Sequence, residues 1–532
     1  MTGPAPAPPA GPDRRPPPWL RLRPDARLTV ADRGRLLVGG HPGRLLRLSP
    51  SGAAVVQAWF RGEPVGPAPA AADLARRLLD AGIVHPVLPE TVAEDGPAVT
   101  VVIPTLDGIE DLKRCLAAVR AADPDVPVVV VDDGSADGAA VRRAAARSRA
   151  RLLRHPARRG AAAARNTGLA AVGTPLVAFV DHDVVVSPGW LRRLRLYFAD
   201  PCVAAVAPRV TAHRPGPGWL AAYEAAHSPL DMGPRPGPIG PGRPIPFVPT
   251  ATLLVRRAAV DRPFDEQLPI GEDIDMVWRL VAAGWTVRHV PDVTVAHRHR
   301  DALLAFARRR RLYARSVGLL SRRHPGALPA ARVSPWLAAP WVLLAARRPA
   351  AAAAATLTTV GLLSRSLAGS AERPISLSAA IVARSLPAAG EGLARAVERV
   401  WWPPLLAAAV RTRTARLPLA VALATPALLD WLRAGRRPAL PHHLAVRALD
   451  DLVSTAATWE GCVREQTAKP LLPALDIPHG RVSERRHWTA SSKRTRPSDA
   501  AAAGGHRPCG EPTGTSRPHR GRSGRAAPRQ IR

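Results

Sequence analysis

The segment Val177–Val186, VAFVDHDVVV, is an apolar run that carries Asp181 and Asp183 on either side of His182. Packing gives no reason for two carboxylates there. In an extended chain residues i and i+2 point to the same side, so the pair would repel unless a cation sits near both. An oxygen-only pair suits Mg2+ or Mn2+, ions that fill their remaining positions readily with diphosphate oxygens. The bland alternative is two solvated turn residues, and the apolar flanks argue against it.

A second acidic pair opens LPIGEDIDMVWRLVAAGW, Leu268–Trp285. Ile274, Val277, Trp278 and Val281 recur with helical spacing, which predicts a helix stopped by Gly284. Glu272 and Asp273 then sit at its N-terminus, where the dipole alone favours acid. The functional reading makes one of them a general base that takes a proton from an attacking hydroxyl. Adjacent helix residues point about 100° apart, so only one can face the acceptor. VDDGS, Val131–Ser135, ends a strand-like run with Asp132 and Asp133, which can accept hydrogen bonds from a base or ribose. An Asx turn explains the same residues when they are taken alone. In GAAAARNTGLAA, Gly160–Ala171, Arg165 and Asn166 lie among small neighbours. Arg165 there could clamp a phosphate or form a surface ion pair. HVPDVTVAHRHR places His297 and His299 on one side of a strand end, with His297 a candidate third metal ligand.

These residues need a scaffold. From Ala98 to His299 strand-like and helical runs alternate, the pattern of an α/β domain with a largely parallel sheet. VTVVIP, PVVVVDD and LVAFVD each end in a polar cluster, and ligands bind beyond the carboxyl ends of such strands. The stretch from His213 to Pro249 is too long for a plain connection. It is expected to help admit the acceptor and to order when donor binds. Residues 1–18 read as a disordered Pro-rich arm. Residues 19–92 read as a winged-helix-like module: strands near Arg27–Val30 and Arg35–Val38, an N-cap at Ser49, and a helix through Leu74, Leu78 and Leu79. Residues 97–325 form the catalytic domain, and 326–476 a helical, hydrophobic region. The uncharged runs of that region, Val333–Ala346 and Pro349–Ser364, both fall short of the ~20 residues of a membrane span. A buried bundle or a monotopic interfacial hairpin is expected instead, the latter at the inner face of the plasma membrane. Residues 477–532 read as a disordered basic tail.

The net charge is +33, yet all but three of the 75 basic residues are arginine, the three lysines being Lys113, Lys469 and Lys493. That composition matches drift in a GC-rich genome, and no nucleic-acid module accompanies it, so no nucleic-acid partner is expected. The four scattered cysteines fit neither a disulfide framework nor a zinc site. The N-terminus lacks the apolar core of a signal peptide, which predicts a cytoplasmic catalytic domain.

VVIPTLDG, VDDGS, ARNTGLA, the DHD pair, FDEQ (Phe264–Gln267) and GEDIDMVWRL stand in the order and spacing seen in one group of enzymes. From Ala98 to His299 the chain resembles the family 2 inverting glycosyltransferases. The resemblance implies the GT-A fold, a Rossmann-like, mostly parallel sheet, and a nucleotide-diphospho-sugar donor. Thr105, Asp107, Asp132, Asp133, Arg165, Asn166 and Asp181 would surround the donor. Asp181 and Asp183 would hold Mn2+ or Mg2+ on its diphosphate, and Asp273, with Glu272 as the alternative, would be the base. DHD departs from the commoner D-A-D, which leaves the role of His182 open.

A narrower likeness extends over the whole chain. RLLRLSPSGAAVVQAW, LARRLLDAGIVHP, VPTATLLVRR (Val248–Arg257) and LDDLVSTAATWEGCVREQTAKPLLP (Leu449–Pro473) resemble the glycosyltransferases of the mycofactocin system. This implies glucose from UDP-glucose, joined by β-1,4 links to premycofactocin, a redox cofactor made from a ribosomal peptide. The N-terminal module is similar to peptide-recognition elements, so the precursor peptide or a pathway enzyme is an expected partner. A transferase extending a polyprenol-linked glycan is the rival within enzymes. A non-catalytic scaffold that binds peptide or nucleic acid is the rival outside them, and it expects Asp183→Ala and Asp273→Asn to change nothing.

Overall fold

The computed structural model describes Pro8 and residues 14–89, 96–213, 218–261, 263–298 and 302–476. Most of the N-terminal arm, His299 and the whole 477–532 tail lie outside the described residues.

The N-terminal module holds an antiparallel meander, Thr29–Ala31, Leu36–Gly39 and Arg44–Arg47, with helices Pro50–Phe60 and Pro69–Asp80. Ser49 caps the first helix, its hydroxyl accepting the Gly52 N–H at 3.0 Å. Strands Arg21–Pro24 and Val84–Val87, which periodicity does not predict, pair antiparallel and bring the two ends of the module together. Val56, Trp59, Leu78, Leu79 and Ile83 form its core. Arg76, buried on the second helix, donates to both oxygens of Asp200 at 2.9 and 2.7 Å and so ties the module to the α/β domain.

The α/β domain is built on a nine-stranded sheet. Across it run Val184–Val186, Thr286–His297, Val203–Ala212, Thr252–Arg256, Leu176–Val180, Val99–Thr105, Val128–Asp132 and Arg151–Arg154, with Gly237–Pro238 paired at the side. Thr252–Arg256, Val184–Val186 and Gly237–Pro238 run against the rest. Thr105, Asp132, Arg154, Val180, Ala212 and His297 are therefore the carboxyl ends of strands with a common direction, and they share one edge of the sheet. Val101, Val102, Ile103, Val130, Val131 and Phe179 are fully buried, as β-branched and aromatic residues covered on both faces should be.

The expected loop from His213 to Pro249 contains helix Trp219–Ala226. Its Pro and Gly residues lie beyond this short apolar turn, so composition averaged over the stretch hides it.

Among the described residues seven helices of ten residues or more follow the sheet: Leu303–Arg323, Pro335–Ala345, Pro349–Leu367, Pro374–Ala396, Trp402–Arg411, Arg413–Arg433 and Leu440–Arg464. The first packs along the last, and Gly318 makes this possible. A Cβ there would lie 2.3 Å from the Gly461 carbonyl oxygen. Pro349–Leu367 and Arg413–Arg433, of 19 and 21 residues, are long and apolar enough to cross a membrane by length and composition. This corrects the count of uncharged runs, because helix continues through Arg365 and carries Pro418 and Pro426 in its interior.

Candidate functional site

The strand Leu176–Val180 delivers Asp181 to the carboxyl edge, where its N–H donates to Ala251 O at 2.9 Å. The chain then turns: Val184 N–H returns to Asp181 O at 3.1 Å, and Val184–Val186 pairs antiparallel with the strand ending at His297. Asp181 and Asp183 thus flank a tight turn and are not successive residues of one extended strand. The turn separates their partners. Asp181 accepts from Arg165 at 2.9 Å, and Asp183 lies 3.3 Å from His297 Nε2. Burial works to raise the Asp183 carboxyl, but the His297 imidazole overrides it and holds Asp183 at about 2. Asp183 is therefore ionised throughout the physiological range.

Arg165 comes from helix Ala161–Ala170, whose buried alanines let it lie close on the sheet. Neither sequence expectation describes it fully. Its guanidinium is buried, spans Asp181 and Glu272 (2.7 Å), and lies 5.4 Å over the Phe264 ring. Asn166 beside it exchanges hydrogen bonds with the backbone of Phe264 at 2.8 and 2.9 Å and donates to Glu266 at 3.0 Å. The ARNTGLA helix thus clamps the FDEQ loop and joins two acids that lie far apart in sequence.

Glu272 and Asp273 begin helix Glu272–Ala282 after Gly271, whose positive φ turns the chain into the first turn. They part company chemically. Glu272 gives one oxygen to the Arg165 guanidinium at 2.7 Å. Asp273 accepts only backbone N–H groups, from Ile274 at 2.8 Å and, at a long 3.3 Å, from Thr250. Burial, and then the charge of Glu272, push Asp273 up to about 6. A carboxylate poised near neutral pH at the sheet's carboxyl edge is what a general base requires.

The residues expected around the nucleotide form a tied set of turns. Asp132 accepts the Ser135 N–H at 2.8 Å and pairs with Arg154. Asp133 accepts from the N–H groups of Arg159 (2.9 Å) and Gly160 (2.8 Å) and contacts His155 Nδ1 at 2.7 Å. Asp107, exposed and at positive φ, donates its N–H to Ser135 Oγ and accepts from Ala136 N–H. Thr105 Oγ1 reaches Asp107 O at 3.4 Å. The carboxylates of Asp132 and Asp133 thus shape the turns that wall the edge.

Sequence reasoning missed His155, which bridges Asp133 to Thr167 Oγ1 at 2.9 Å. It follows the strand Arg151–Arg154, so the strand-end rule applied to LLRHP finds it. It also missed Tyr313 on helix Leu303–Arg323. Burial and the nearby charges of Asp273 and Asp181 push this phenol up, against Arg309, to about 12. No local signal in FARRRRLYARS marks that proximity, since the packing of a later helix creates it.

Among the described residues no three His, Cys, Asp or Glu side chains come together as a closed metal site. Asp181 and Asp183 each give one oxygen to a basic side chain and keep the other. That suits a cation shared with a diphosphate better than one caged by protein.

The family model "Glycosyl transferase family 2" matches residues 100–262. The chain is 36% identical over 470 residues to the pre-mycofactocin glycosyltransferase of Mycobacterium tuberculosis, covering 85% of this chain and 97% of that one. It is 32% identical over 205 residues to the succinoglycan biosynthesis protein ExoU of Rhizobium meliloti, covering 35% of this chain and 57% of that one. Among solved structures it is similar, at 22% identity and a TM-score of 0.35, to the mannosyltransferase PcManGT from Pyrobaculum calidifontis in complex with GDP-Man and Mn2+. That alignment covers 64% of this chain and 90% of that one. With a sheet whose carboxyl edge gathers these acids, and a relative matched along nearly its whole length, the chain is a glycosyltransferase of family 2 and belongs to the pre-mycofactocin glycosyltransferase family.

Proposed function

We propose that the chain transfers glucose from UDP-glucose, with inversion, onto premycofactocin and extends it through β-1,4 links. The observation that carries the chemistry is the split between Glu272, locked by Arg165, and Asp273, held by backbone amides alone and pushed up to about 6. The relative's name supports the acceptor.

In this reading Asp273 takes the proton of the acceptor hydroxyl as that oxygen attacks the anomeric carbon and the bond to the nucleotide diphosphate breaks. Asp181 and Asp183 would hold Mn2+ or Mg2+, which when bound would supply positive charge to offset that developing on a leaving diphosphate. Arg165 fixes Asp181 relative to the first turn of the Asp273 helix, so donor and base are set by one side chain. His297 keeps Asp183 ionised. The turns built on Asp107, Asp132, Asp133 and Ser135 form the nucleotide end of the cleft.

The helical region supports work at an anionic membrane surface. Leu357, Ile375, Val410 and Leu417 are each at least 60% exposed there, an apolar display that a soluble surface rarely carries.

The test is release of UDP from UDP-glucose with Mn2+ or Mg2+, with and without premycofactocin, in wild type and Asp183→Ala. Acceptor-stimulated release that the substitution abolishes supports the reading. Release that ignores premycofactocin but responds to a polyprenol-linked glycan overturns the acceptor.

A further inference from the structure

We propose that Trp219 and His442 form a stacking platform for a hexose ring of the acceptor glycan, beyond the sugar that receives the new link. The inference rests on the hexose transfer proposed above. Helix Trp219–Ala226 follows closely on strand Val203–Ala212, whose last residue is in register with His297. His213, the next residue, donates its N–H to His297 O at 2.8 Å. Further along the helix Glu224 is buried and pairs with Arg309 at 3.0 Å and Arg310 at 3.2 Å. The helix is thus held through Glu224 to helix Leu303–Arg323, and Glu224 lies near enough to His297 for their charges to interact.

Its middle is equally fixed. Tyr223 is fully buried, stacks on His227 at 4.3 Å, meets Phe306 edge-on at 6.2 Å and donates to Asp450 at 3.1 Å. One turn earlier, Trp219 stands 44% exposed, its ring 6.0 Å from that of His442 at an interplanar angle of 27°. A large indole on an anchored helix, backed by an imidazole from helix Leu440–Arg464, is a flat surface that does not have to be ordered on binding. A hexopyranose offers such a surface the apolar C–H face of its ring, while its hydroxyls meet the donor and acceptor nitrogens of the imidazole. A bilayer interface is the competing occupant, because Leu303 and Leu304 are also exposed and indole rings favour membrane interfaces. It offers the imidazole phosphate and ester oxygens but no rigid C–H face to lie flat on the indole, so the sugar is the better fit.

The test compares full-length wild type, Trp219→Ala and Trp219→Phe on premycofactocin bearing no hexose and on premycofactocin bearing two. Trp219→Ala should raise the KM of the two-hexose acceptor relative to the bare one about tenfold, the loss of one good aromatic contact. The kcat ratio between the two acceptors should stay within about twofold, and Trp219→Phe should restore most of the KM ratio. An unchanged KM ratio overturns the platform, and an unchanged ratio with lost binding to anionic vesicles identifies the bilayer as the occupant. Cellotetraose titration followed by tryptophan fluorescence separates this from the acceptor assignment. A response in wild type that Trp219→Phe lacks supports the platform even where premycofactocin is not glycosylated, and equal responses, or none, overturn it.

Discussion

The sheet domain and the C-terminal helices handle charge in opposite ways. In the sheet the interior is apolar and the acids stand at one edge, where Asp273 has only backbone partners. Among the helices the charge is inside. Arg447, buried, bonds Glu398 at 2.9 Å and both Asp430 and Asp451 at 3.0 Å, and Arg395 and Arg433 extend the network to Glu391. Leu357, Ile375, Val410 and Leu417 are outside. The arginine network fixes helix positions by tying each acid to a guanidinium, even Asp451, which burial pushes up to about 8, whereas Asp273 is left to backbone amides. The difference separates acids gathered at one edge of a sheet from acids tied into a buried arginine network.

The largest expected effect tests the reactive side. Asp273→Asn keeps the shape and can accept one of the two backbone N–H groups but cannot take the proton. It should lower kcat by about 10²–10⁴, with the melting temperature unchanged or higher, since a strained charge is gone. A loss below tenfold would place the base elsewhere.

Arg447→Ala tests the other side. It strands Glu398 and Asp451 in a buried setting while Asp430 keeps Arg395, and breaking such a group by removing one partner costs about 3–5 kcal/mol. Urea unfolding should show that loss, while donor binding by the protein that stays folded should hold. A cost near zero would mean that water already reaches the network and that the inside-out description is wrong.

How the two regions could be read from sequence differs for the same reason. Strand ends in the sheet announce themselves, because an apolar run that stops in VDDGS or DHD has no packing use for its acids. Asp132, Asp133, Asp181 and Asp183 were found in this way. The extended geometry assumed for the DHD pair failed because two residues do not reveal a turn whose hydrogen bonds close with Val184 and Ala251. The role of Arg165 was half legible: a lone arginine among alanines signals a special contact, but its partners lie 16 and 107 residues away. In the helical region an arginine reads as a surface residue, so the sequence does not mark Arg447 as buried, and the prolines and terminal arginines of Arg413–Arg433 hide the length of that helix.

The outer face of the helices gives the next prediction. Leu417→Asp, at a position 60% exposed, should weaken binding to vesicles of anionic phospholipid about tenfold or more, as each buried side chain of this kind contributes about 1.5–3 kcal/mol. UDP release in detergent-free buffer without vesicles should be unaltered. If vesicle binding does not change, that face is covered by something other than lipid, such as a second copy of the chain.

The smallest effect concerns how the edge tunes its base. Burial and Glu272 both raise Asp273, so kcat should fall about tenfold per pH unit below about 6 as the carboxyl takes up its proton. Asp183, at about 2, adds no limb in that range. Stability should move the other way. A carboxyl with a raised folded value binds more protons folded than unfolded between about 4 and 6, so folding strengthens as pH falls through 6. Glu272→Gln removes the second cause and releases Arg165 from one of its two acids. Its acid limb should shift to lower pH, and its gain in stability on acidification should shrink. A limb that moves while the stability profile does not would assign the titration to a group outside the folded pair. A shift of both toward lower pH would confirm that the neighbour locked by arginine sets the pH at which the free one works.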